Sequence, residues 1–405
     1  MTNSSTIRSR CCVVGGGPAG VMLGYLLARS GAEVVVLEKH GDFLRDFRGD
    51  TVHPSTMTVL SELGLLDDFL KRPHTEIRQL DAHIGGDTIT LGDFSHVPGP
   101  AKFLAFMPQW DFLNFLSEKG AAYAGFHLMM KTQATGAIRE AGRVTGVTAT
   151  GPDGDIEIRC DLVIACDGRT STMRGAAELS PRDLGAPMDV LWMRISRRPD
   201  DRNAALGYVG AGVILVMIDR TDYWQCGFVI AKGTIDALRA RGIEALRAEV
   251  ASLAPFVADR VGELQSWDDI KLLSVSVDRL DRWFVPGMLF IGDAAHAMSP
   301  IGGVGINLAI QDAVAAANIL APALARPGAV DDATLQRVQQ RRLYPTRMTQ
   351  GLQVLIQRNI VASVLRSKAP PTRAPFIMRW LSAIPLFRRI PAYVVGIGFR
   401  PEHVK

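Results

Sequence analysis

Short apolar runs alternate with a helical pattern at the start of the chain. An apolar run from Cys11 to Val14 leads into a cluster of glycines and then into helical spacing from Ala19 to Arg29. Gly31 is placed to end that helix, as a glycine just after the last helical residue commonly does. A second apolar run, Val34 to Leu37, follows it. This order predicts a β-turn-α-β unit, the beginning of a parallel sheet covered by helices.

The rest of the chain combines both patterns. The spacing predicts, in order, a helix from Thr51 to Leu70, a β-hairpin from Ile77 to Phe94, a helix from Trp110 to Tyr123, a hairpin from Val144 to Ile158 and long β-type runs between Val190 and Ile230. The α/β pattern then returns, with a strand at Met288 to Ile291 and a helix from Gly305 to Leu324. A sheet-rich segment is therefore inserted into an α/β domain.

We therefore predict an α/β fold built from three parts. A discontinuous Rossmann-type domain comprises residues 1–75, 97–182 and 275–330. A β-rich domain comprises residues 76–96 and 183–274, and a helical, basic C-terminal region comprises residues 331–405.

Composition narrows the class of protein. The chain has 405 residues, 47% of them apolar and 21% charged, so it can bury a large core and is not expected to be disordered. A net charge of +4 without a basic stripe argues against nucleic-acid binding. Five cysteines without zinc spacing predict free thiols, no metal site and a reducing, cytoplasmic location. The sequence has no run of about 18 apolar residues, so no transmembrane helix is predicted.

The strongest local signal lies between the first strand and the first helix. Gly15, Gly17 and Gly20 form a GxGxxG pattern in Gly-Gly-Gly-Pro-Ala-Gly. The first glycine permits a tight turn, the second lets the backbone approach a pyrophosphate, and the third lets helix and strand pack closely. The helix N-terminus adds free N–H groups for phosphate oxygens. Glu38 ends the second strand, where a carboxylate can accept hydrogen bonds from a ribose. Together these features predict a dinucleotide site.

Two further motifs refine that site. The strand near Met288 runs into Gly292-Asp293-Ala294-Ala295-His296, and a glycine-rich turn before the predicted helix at Gly305 follows Pro300. Asp293 then lies at the carboxyl end of a strand, where open α/β sheets bind ligands. Asp167 and Gly168 begin the sequence Asp-Gly-Arg-Thr-Ser-Thr-Met-Arg, a DGxxSxxR pattern.

With these three motifs in this order, the sequence resembles the FAD-dependent monooxygenases of the aromatic hydroxylase type, which have the p-hydroxybenzoate hydroxylase fold. The resemblance extends from about Cys11 to Leu320, and no motif covers the chain beyond about Ala325. It implies an FAD-binding Rossmann-type domain and a substrate domain formed by the β-rich insertion.

The resemblance also implies which residues hold FAD. Gly15, Gly17 and Gly20 would hold the pyrophosphate and Glu38 the adenosine ribose, and Asp293 would bind the ribityl chain or the pyrophosphate. Pro300 and the segment from Gly303 to Asn307 would border the flavin ring and the oxygen-reaction pocket. The full implied set is Gly15, Gly17, Pro18, Ala19, Gly20, Glu38, Lys39, Arg48, Gln109, Asp167, Gly168, Asp293, Pro300, Gly303, Gly305, Ile306 and Asn307.

Four residues are candidates for the reaction itself. Pro300 would border the oxygen-reaction pocket, and His53 would face the flavin edge unless it only begins a helix ahead of Pro54. Tyr208 and Tyr223 lie in the β-rich segment, where either could orient or deprotonate a phenol or simply pack or face solvent. His296 is expected to be structural. The same segment offers an apolar, ring-binding surface that includes Trp192 and Val216, although such residues also pack sheets onto helices.

The C-terminal tail is basic and rich in aromatic residues. Between Gly351 and Lys405 nine basic residues accompany one acid, Glu402, which gives this stretch a net charge of +8. Its prolines predict short helices. This tail would either rest on anionic lipid as a peripheral membrane element or cap the flavin domain with its charges solvated.

The resemblance implies the function. NADPH or NADH would reduce FAD, O2 would add at flavin C4a, and the hydroperoxide would transfer one oxygen atom to an aromatic, polycyclic or other electron-rich substrate. Three alternatives stay open: a halogenase, whose WxWxIP motif is absent here, a reductase that consumes no oxygen, and a flavin-free binding protein. The sequence is compatible with a monomer or a homodimer.

Overall fold

Residues 5–44, 51–201 and 207–405 are described by the computed structural model, and its strands and helices follow the predicted order closely. The strands are β1 (Ser5–Val14), β2 (Val34–Leu37), β3 (Thr51–Val52), β4 (Thr75–Ile77), β5 (Gln79–Ile84), β6 (Asp87–Asp93), β7 (Leu104–Phe106), β8 (Phe126–Met129), β9 (Gln133–Glu140), β10 (Arg143–Gly151), β11 (Gly154–Ala165), β12 (Arg182–Asp183), β13 (Met188–Ser196), β14 (Gly207–Val209), β15 (Ile214–Asp219), β16 (Tyr223–Ala231), β17 (Lys271–Ser274), β18 (Asp278–Arg279), β19 (Phe284–Val285), β20 (Met288–Phe290) and β21 (His296–Ala297). The helices are α1 (Pro18–Arg29), α2 (Pro54–Glu62), α3 (Leu66–Leu70), α4 (Gln109–Gly120), α5 (Thr172–Ala176), α6 (Ile235–Ala240), α7 (Ile243–Leu253), α8 (Gly305–Leu324), α9 (Asp332–Ile356), α10 (Ala362–Arg366), α11 (Phe376–Ala383) and α12 (Pro385–Gly396).

The first sheet has the strand arrangement of a Rossmann-type domain. Its order is β19-β20-β11-β1-β2-β8, and β1 pairs in parallel with both β11 and β2. Side chains alternate along β1, so Cys11 and Val13 join the core beneath α1, α4 and α8 while Cys12 and Val14 join the core on the other face. Burial on both faces explains why β2 and the last four residues of β1 are apolar without interruption. The predicted α/β fold is confirmed.

A second, seven-stranded sheet has the order β17-β13-β16-β15-β14-β5-β6. It joins the hairpin β5–β6 to strands that lie more than a hundred residues later, through the parallel pair of β5 and β14. One face packs on α6 and α7, and we call the opposite face the inner face, defined by Val190, Trp192, Val216, Ile218 and Val229. The predicted domain boundaries stay a prediction, although the two segments assigned to the β-rich domain share this sheet.

One predicted element is wrong at its beginning. The expected helix from Thr51 starts as strand β3 and becomes helical only at Pro54. Proline disfavours helical backbone at the residue before it, and His53 accordingly has extended angles, with φ −92° and ψ 162°. Proline itself suits the first helical position, where no N–H is needed.

The long apolar helix α8 belongs to the core. The segment Ile301–Leu324 is the one described stretch long and apolar enough to cross a membrane, yet 67% of its most apolar window is buried inside the protein. It packs against α1 and α9. A helix that is apolar on most sides fits this position between two others.

Candidate cofactor and substrate site

The turn between β1 and α1 is built so tightly that side chains would not fit in it. Gly15 has φ +108°, which favours glycine, and a Cβ there would lie 2.4 Å from the carbonyl oxygen of Cys166. A Cβ on Gly20 would lie only 1.9 Å from the carbonyl oxygen of Gly15. By contrast, a Cβ on Gly17 would meet no atom within 4 Å. Two glycines therefore close the turn, and the third leaves open space beside it.

The N-terminus of α1 offers an anion site next to that space. Gly17 is its N-cap and supplies no side chain, Pro18 occupies the first turn, and no acidic residue neutralises the positive end of the helix. Unsatisfied N–H groups and the helix dipole attract phosphate oxygens at such a position. The open space at Gly17 and the uncapped helix fit a pyrophosphate, so Gly17, Pro18, Ala19 and Gly20 would hold the phosphates of FAD.

Glu38 is buried at the end of β2 and holds the turn from the side. Its Oε2 accepts from the backbone N–H of Gly16 at 3.1 Å, and its Oε1 accepts from that of His40 at 3.0 Å. Its interaction with a ribose stays a prediction, while the structure shows that the same carboxylate positions the glycine turn.

The DGxxSxxR segment joins two strand ends. Asp167 accepts from the hydroxyl of Ser171 at 2.6 Å and from the N–H of Met173 at 3.1 Å, so its carboxylate caps α5. Burial raises the pKa of Asp167, while these hydrogen bonds act to lower it. Arg174 donates to the carbonyl oxygens of Ala294 and Asp293, at 2.7 and 2.9 Å. This arginine therefore ties the Asp167 turn to the Asp293 turn.

Asp293 lies at that junction with its carboxylate half-buried. Its Oδ2 accepts from Arg169 at 3.1 Å. Gly292, before it, has φ +58°, and a Cβ there would lie 3.1 Å from the Cβ of Ala19 in α1. The predicted phosphate helix and the predicted ribityl-binding aspartate are thus immediate neighbours.

A buried charge network lies behind this turn, and sequence reasoning missed it. Asp312 of α8 accepts from His296 at 2.6 Å, from Arg342 at 2.8 Å and from the N–H of Gly292 at 3.1 Å. Burial raises its pKa, but His296 and Arg342 outweigh that effect, so the pKa of Asp312 is lowered. Arg342 also pairs with Glu402 at 3.1 Å. His296 is buried and binds Asp312, and its structural role stays a prediction.

The turn before α8 meets the segment formed by β3 and the residue that follows it, His53. Gly303 has φ +63°, and α8 begins without a side-chain cap or an acidic residue in its first turn. Asn307 accepts from the backbone N–H of His53 at 2.9 Å and donates to the carbonyl oxygen of Thr51 at 3.0 Å. The buried amide of Asn307 therefore links α8 to β3. Its direct contact with flavin stays a prediction.

His53 is completely buried, and its ring links the contact between Asn307 and β3 to the C-terminal region. Nδ1 lies 2.7 Å from the carbonyl oxygen of Val395, so Nδ1 carries the proton and Nε2 is a bare acceptor. Nε2 has no partner among the described residues and faces Gly303, where a Cβ would lie 3.7 Å from it. Burial lowers the pKa of His53 to about 4, although the Val395 bond opposes that shift.

We expect stability to fall on acidification because of this residue. An unfolded histidine titrates near pH 6.5, whereas His53 stays neutral to about pH 4 when folded. The contribution of neutral His53 to the free energy of unfolding is therefore fully present above pH 6.5. It declines by roughly 3 kcal/mol in total as the pH falls to about 4. Urea unfolding at several pH values should show that the free energy of unfolding of His53→Gln depends less on pH than that of the wild type. The exposed-site control His127→Gln should keep the wild-type slope, and equal slopes in all three proteins would contradict the assignment.

The two candidate tyrosines occupy different places. Tyr208 is buried on the outer side of the large sheet, with its ring 6.5 Å from that of Phe256 and 5.4 Å from that of His83. The sheet separates it from the inner face, and its catalytic role stays a prediction. Tyr223 begins β16 at partial exposure, and the guanidinium of Arg194 lies 3.9 Å from its ring centroid.

Trp192 dominates the inner face. A Cβ on Gly227 would lie 2.9 Å from the benzene edge of its indole, so the ring needs a glycine beside it. The indole packs against both apolar clusters of this face, and Ile301 from the turn after Pro300 packs on one of them. Its Nε1 is buried and has no acceptor among the described residues. The inner face thus meets the turn expected to border flavin and presents a buried donor.

The other implied residues are less constrained by the structure. Gln109 begins α4 and is half-buried, Lys39 is exposed, and Gly168 has φ +82°. Arg48 lies outside the described residues, so its predicted phosphate contact stays a prediction. Val395 was not marked by any sequence motif, because only the fold brings this part of the tail to His53.

Three features occur together: the glycine turn, the uncapped helix after it and the aspartate at the end of a strand. They define a protein that binds a dinucleotide on a Rossmann-type sheet. The family described as FAD binding domain matches residues 8–351. The chain is 33% identical over 381 residues to 6-methylpretetramide 4-monooxygenase of Streptomyces rimosus, covering 94% of this chain and 90% of that protein. It is 28% identical to 12-dehydrotetracycline 5-monooxygenase/anhydrotetracycline 6-monooxygenase of Streptomyces rimosus subsp. rimosus, covering 75% of this chain and 60% of that protein.

A solved structure agrees in fold. p-Nitrophenol 4-monooxygenase of Pseudomonas putida superimposes with a TM-score of 0.75 at 19% identity, over 95% of this chain and 94% of that chain. The chain belongs to the FAD binding domain family, and it is an FAD-dependent monooxygenase of the aromatic hydroxylase type. The resemblance inferred from the motifs and the FAD cofactor are confirmed.

Proposed function

We propose that this enzyme uses NADPH or NADH and inserts one atom of O2 into a hydrophobic aromatic or polycyclic substrate, by oxygen transfer through C4a of the flavin. Bound FAD supplies the redox and oxygen chemistry, and the protein supplies position and a dry environment. The observation that carries the proposal is the apolar inner face, which includes Trp192 and on whose buried cluster Ile301, from the turn after Pro300, packs.

The inner face suits a flat, ring-containing substrate. Its side chains are aliphatic or aromatic, and pockets of this character bury apolar ligands while a few polar groups orient them. The buried Nε1 of Trp192 is such a group, because an unpaired buried donor favours a ligand that brings an acceptor. A hydroxyl or carbonyl oxygen on the ring system would supply it. The relatives whose names include a pretetramide and a tetracycline support a polycyclic substrate.

We call the turn after Pro300, which is expected to border flavin, the flavin turn. The residues around it hold it in place or stabilise charge beside it. The uncapped N-terminus of α8 can stabilise negative charge that develops on a reduced ring beside it. Asn307 and His53 hold that terminus against β3 without contributing a charge at neutral pH. We also propose a cytoplasmic location, which agrees with five free cysteines.

The proposal is tested by following NAD(P)H oxidation and oxygen uptake together. The FAD-loaded protein is given pretetramide- and tetracycline-type compounds, other polycyclic phenols and p-nitrophenol in turn. We expect one class to accelerate NAD(P)H oxidation with matching oxygen uptake and an oxygenated product. Substrate reduction without oxygen uptake would instead establish a reductase, and halide incorporation would establish a halogenase.

Replacing Trp192 tests the substrate face directly. We expect Trp192→Phe, which keeps an aromatic ring but loses the N–H and the benzene edge of the indole, to raise the KM for an oxygen-bearing polycyclic substrate by roughly tenfold, as for one lost hydrogen bond in a buried site. Oxygen uptake should also exceed product formation, because a loosely held substrate intercepts less of the activated oxygen. Trp267→Phe, which lies on the outer side near α7, should behave as wild type. An unchanged KM in Trp192→Phe would remove this residue from the substrate site.

A further inference from the structure

Helices α11 and α12 carry a surface that the reaction does not use. We call it the apolar patch, and its residues are all more than a third exposed: Phe376, Ile377, Trp380, Leu386, Phe387 and Ile390. Trp380 and Phe387 bring the two helices together, with ring centroids 6.0 Å apart. Phe376 is 79% exposed and Leu386 61%. Contiguous apolar surface of this kind marks an interaction site in a folded protein.

The chain segment that carries this patch is basic. From residue 333 to residue 401 the chain contains twelve Lys or Arg residues and no Asp or Glu. Arg373, Arg379, Arg388 and Arg389 lie within or beside the two helices. Arg379 lies 3.6 Å from Asp87 and Arg389 donates to His96 at 3.1 Å, so both are anchored to the sheet edge beneath the patch. The partner of such a surface must accept apolar side chains and offer negative charge.

We propose that the apolar patch docks this enzyme on an anionic membrane surface. Amphipathic helices with aromatic and aliphatic residues on one side and arginines beside them lie in the bilayer interface, where anionic head groups attract the cations. A tryptophan is favoured at that depth because its ring is apolar and its N–H is polar. A second copy of the chain fits less well, since a two-fold interface would place the same cationic patch against itself.

The docked orientation has a consequence for the substrate site. The residue before the last of α12, Val395, binds His53 through its carbonyl oxygen, and its side chain lies beside Gly302 in the flavin turn. The helix that touches the membrane therefore also borders the candidate site. A hydrophobic substrate dissolved in the bilayer would enter next to the residues proposed to bind it. The docking itself does not depend on the proposed reaction.

Vesicle sedimentation of the FAD-loaded protein tests the proposal. We expect binding to phosphatidylcholine vesicles that contain phosphatidylglycerol to exceed binding to phosphatidylcholine alone by at least about tenfold, because each basic residue near an anionic surface contributes about 1 kcal/mol. The preference should weaken as salt is raised. Phe376→Ser/Trp380→Ser should reduce binding to both vesicles, and Arg388→Gln/Arg389→Gln should remove the preference for anionic lipid.

A matched control comes from the opposite edge of the large sheet. Leu272→Ser replaces an apolar residue of comparable exposure, 45%, on β17 and should bind vesicles as wild type does. FAD content and circular dichroism confirm that each variant is folded. Wild-type protein that binds neither vesicle overturns the proposal, as does an equal loss in the control. Analytical ultracentrifugation that shows a dimer dissociated by Trp380→Ser, without vesicle binding, would assign the patch to a second copy instead.

Discussion

Gly17→Ala is expected to weaken FAD binding about a hundredfold, equivalent to about 3 kcal/mol, while the apoprotein stays folded. Gly17 has ordinary backbone angles, with φ −76°, and a Cβ there meets no protein atom within 4 Å. The substitution therefore strains nothing in the protein, apart from an N-cap preference of up to about 1 kcal/mol. A methyl group would occupy the open space where the pyrophosphate is expected to approach the backbone. Fluorescence titration of apoprotein with FAD measures the affinity, and thermal unfolding measures the stability.

Two other glycines make this experiment specific. Gly351→Ala changes a helical glycine with equally open surroundings in α9, so FAD affinity should be unchanged and stability equal or higher by up to about 1 kcal/mol. Gly20→Ala should instead destabilise the apoprotein, because its Cβ would lie 1.9 Å from the carbonyl oxygen of Gly15. If Gly17→Ala bound FAD as tightly as wild type, the phosphates would have to lie elsewhere.

Arg342→Met is expected to lower the free energy of unfolding by about 3 to 5 kcal/mol. Arg342 is only 1% exposed and pairs with two buried carboxylates, those of Asp312 and Glu402. Methionine fills much of the same volume but removes the one cation that both carboxylates share, which leaves His296 beside Asp312 and Arg341 beside Glu402. Because the pKa of folded Asp312 is lowered, its paired charge contributes above the ordinary aspartate pKa near 4 and is lost as the pH falls below it. The deficit should therefore be fully present at neutral pH, where urea unfolding measures it.

The neighbouring arginine is a matched control. Arg341 pairs with the same carboxylate of Glu402 at 2.7 Å, but its side chain is 34% exposed. Exposed pairs contribute little, so Arg341→Met should lower the unfolding free energy by no more than about 1 kcal/mol. Equal effects of the two substitutions would show that burial does not govern this network. A smaller FAD affinity in Arg342→Met is also expected, since Asp312 holds the N–H of Gly292 beside Asp293.

This network explains how the C-terminal region supports the cofactor site. Arg342 on α9 donates to Asp312, which accepts from the backbone N–H of Gly292, and Glu402 near the end of the chain accepts from Arg342. Val395 reaches the same area through His53. The tail is therefore both a support for the flavin turn and the carrier of the proposed membrane surface. The two roles, membrane contact and cap, do not exclude each other, because Arg342, Glu402 and the carbonyl oxygen of Val395 are separate from the exposed residues of the apolar patch.

Local features of the sequence determined the candidate cofactor site. The turn at Gly15, Gly17 and Gly20 and the strand end at Asp293 are each formed within a few residues, and the physical demands of a close phosphate approach leave few alternatives to glycine there. Periodicity likewise determined β2 and α8, whose observed bounds equal the predicted ones. Unbroken apolar runs and helical spacing reflect which residues are buried, and this pattern is present in the local sequence.

Only the tertiary structure decided which distant residues meet. Tyr208 and Trp192 look equally suited to a substrate pocket in the sequence, yet the alternation of side chains along β14 and β13 sends them to opposite faces of one sheet. His53, Asp312 and Arg342 are single polar residues without a motif, and their roles arise from partners between 16 and 342 positions away. Pairing across such distances depends on how sheets and helices pack, because a buried polar group takes whichever partner the fold brings to it.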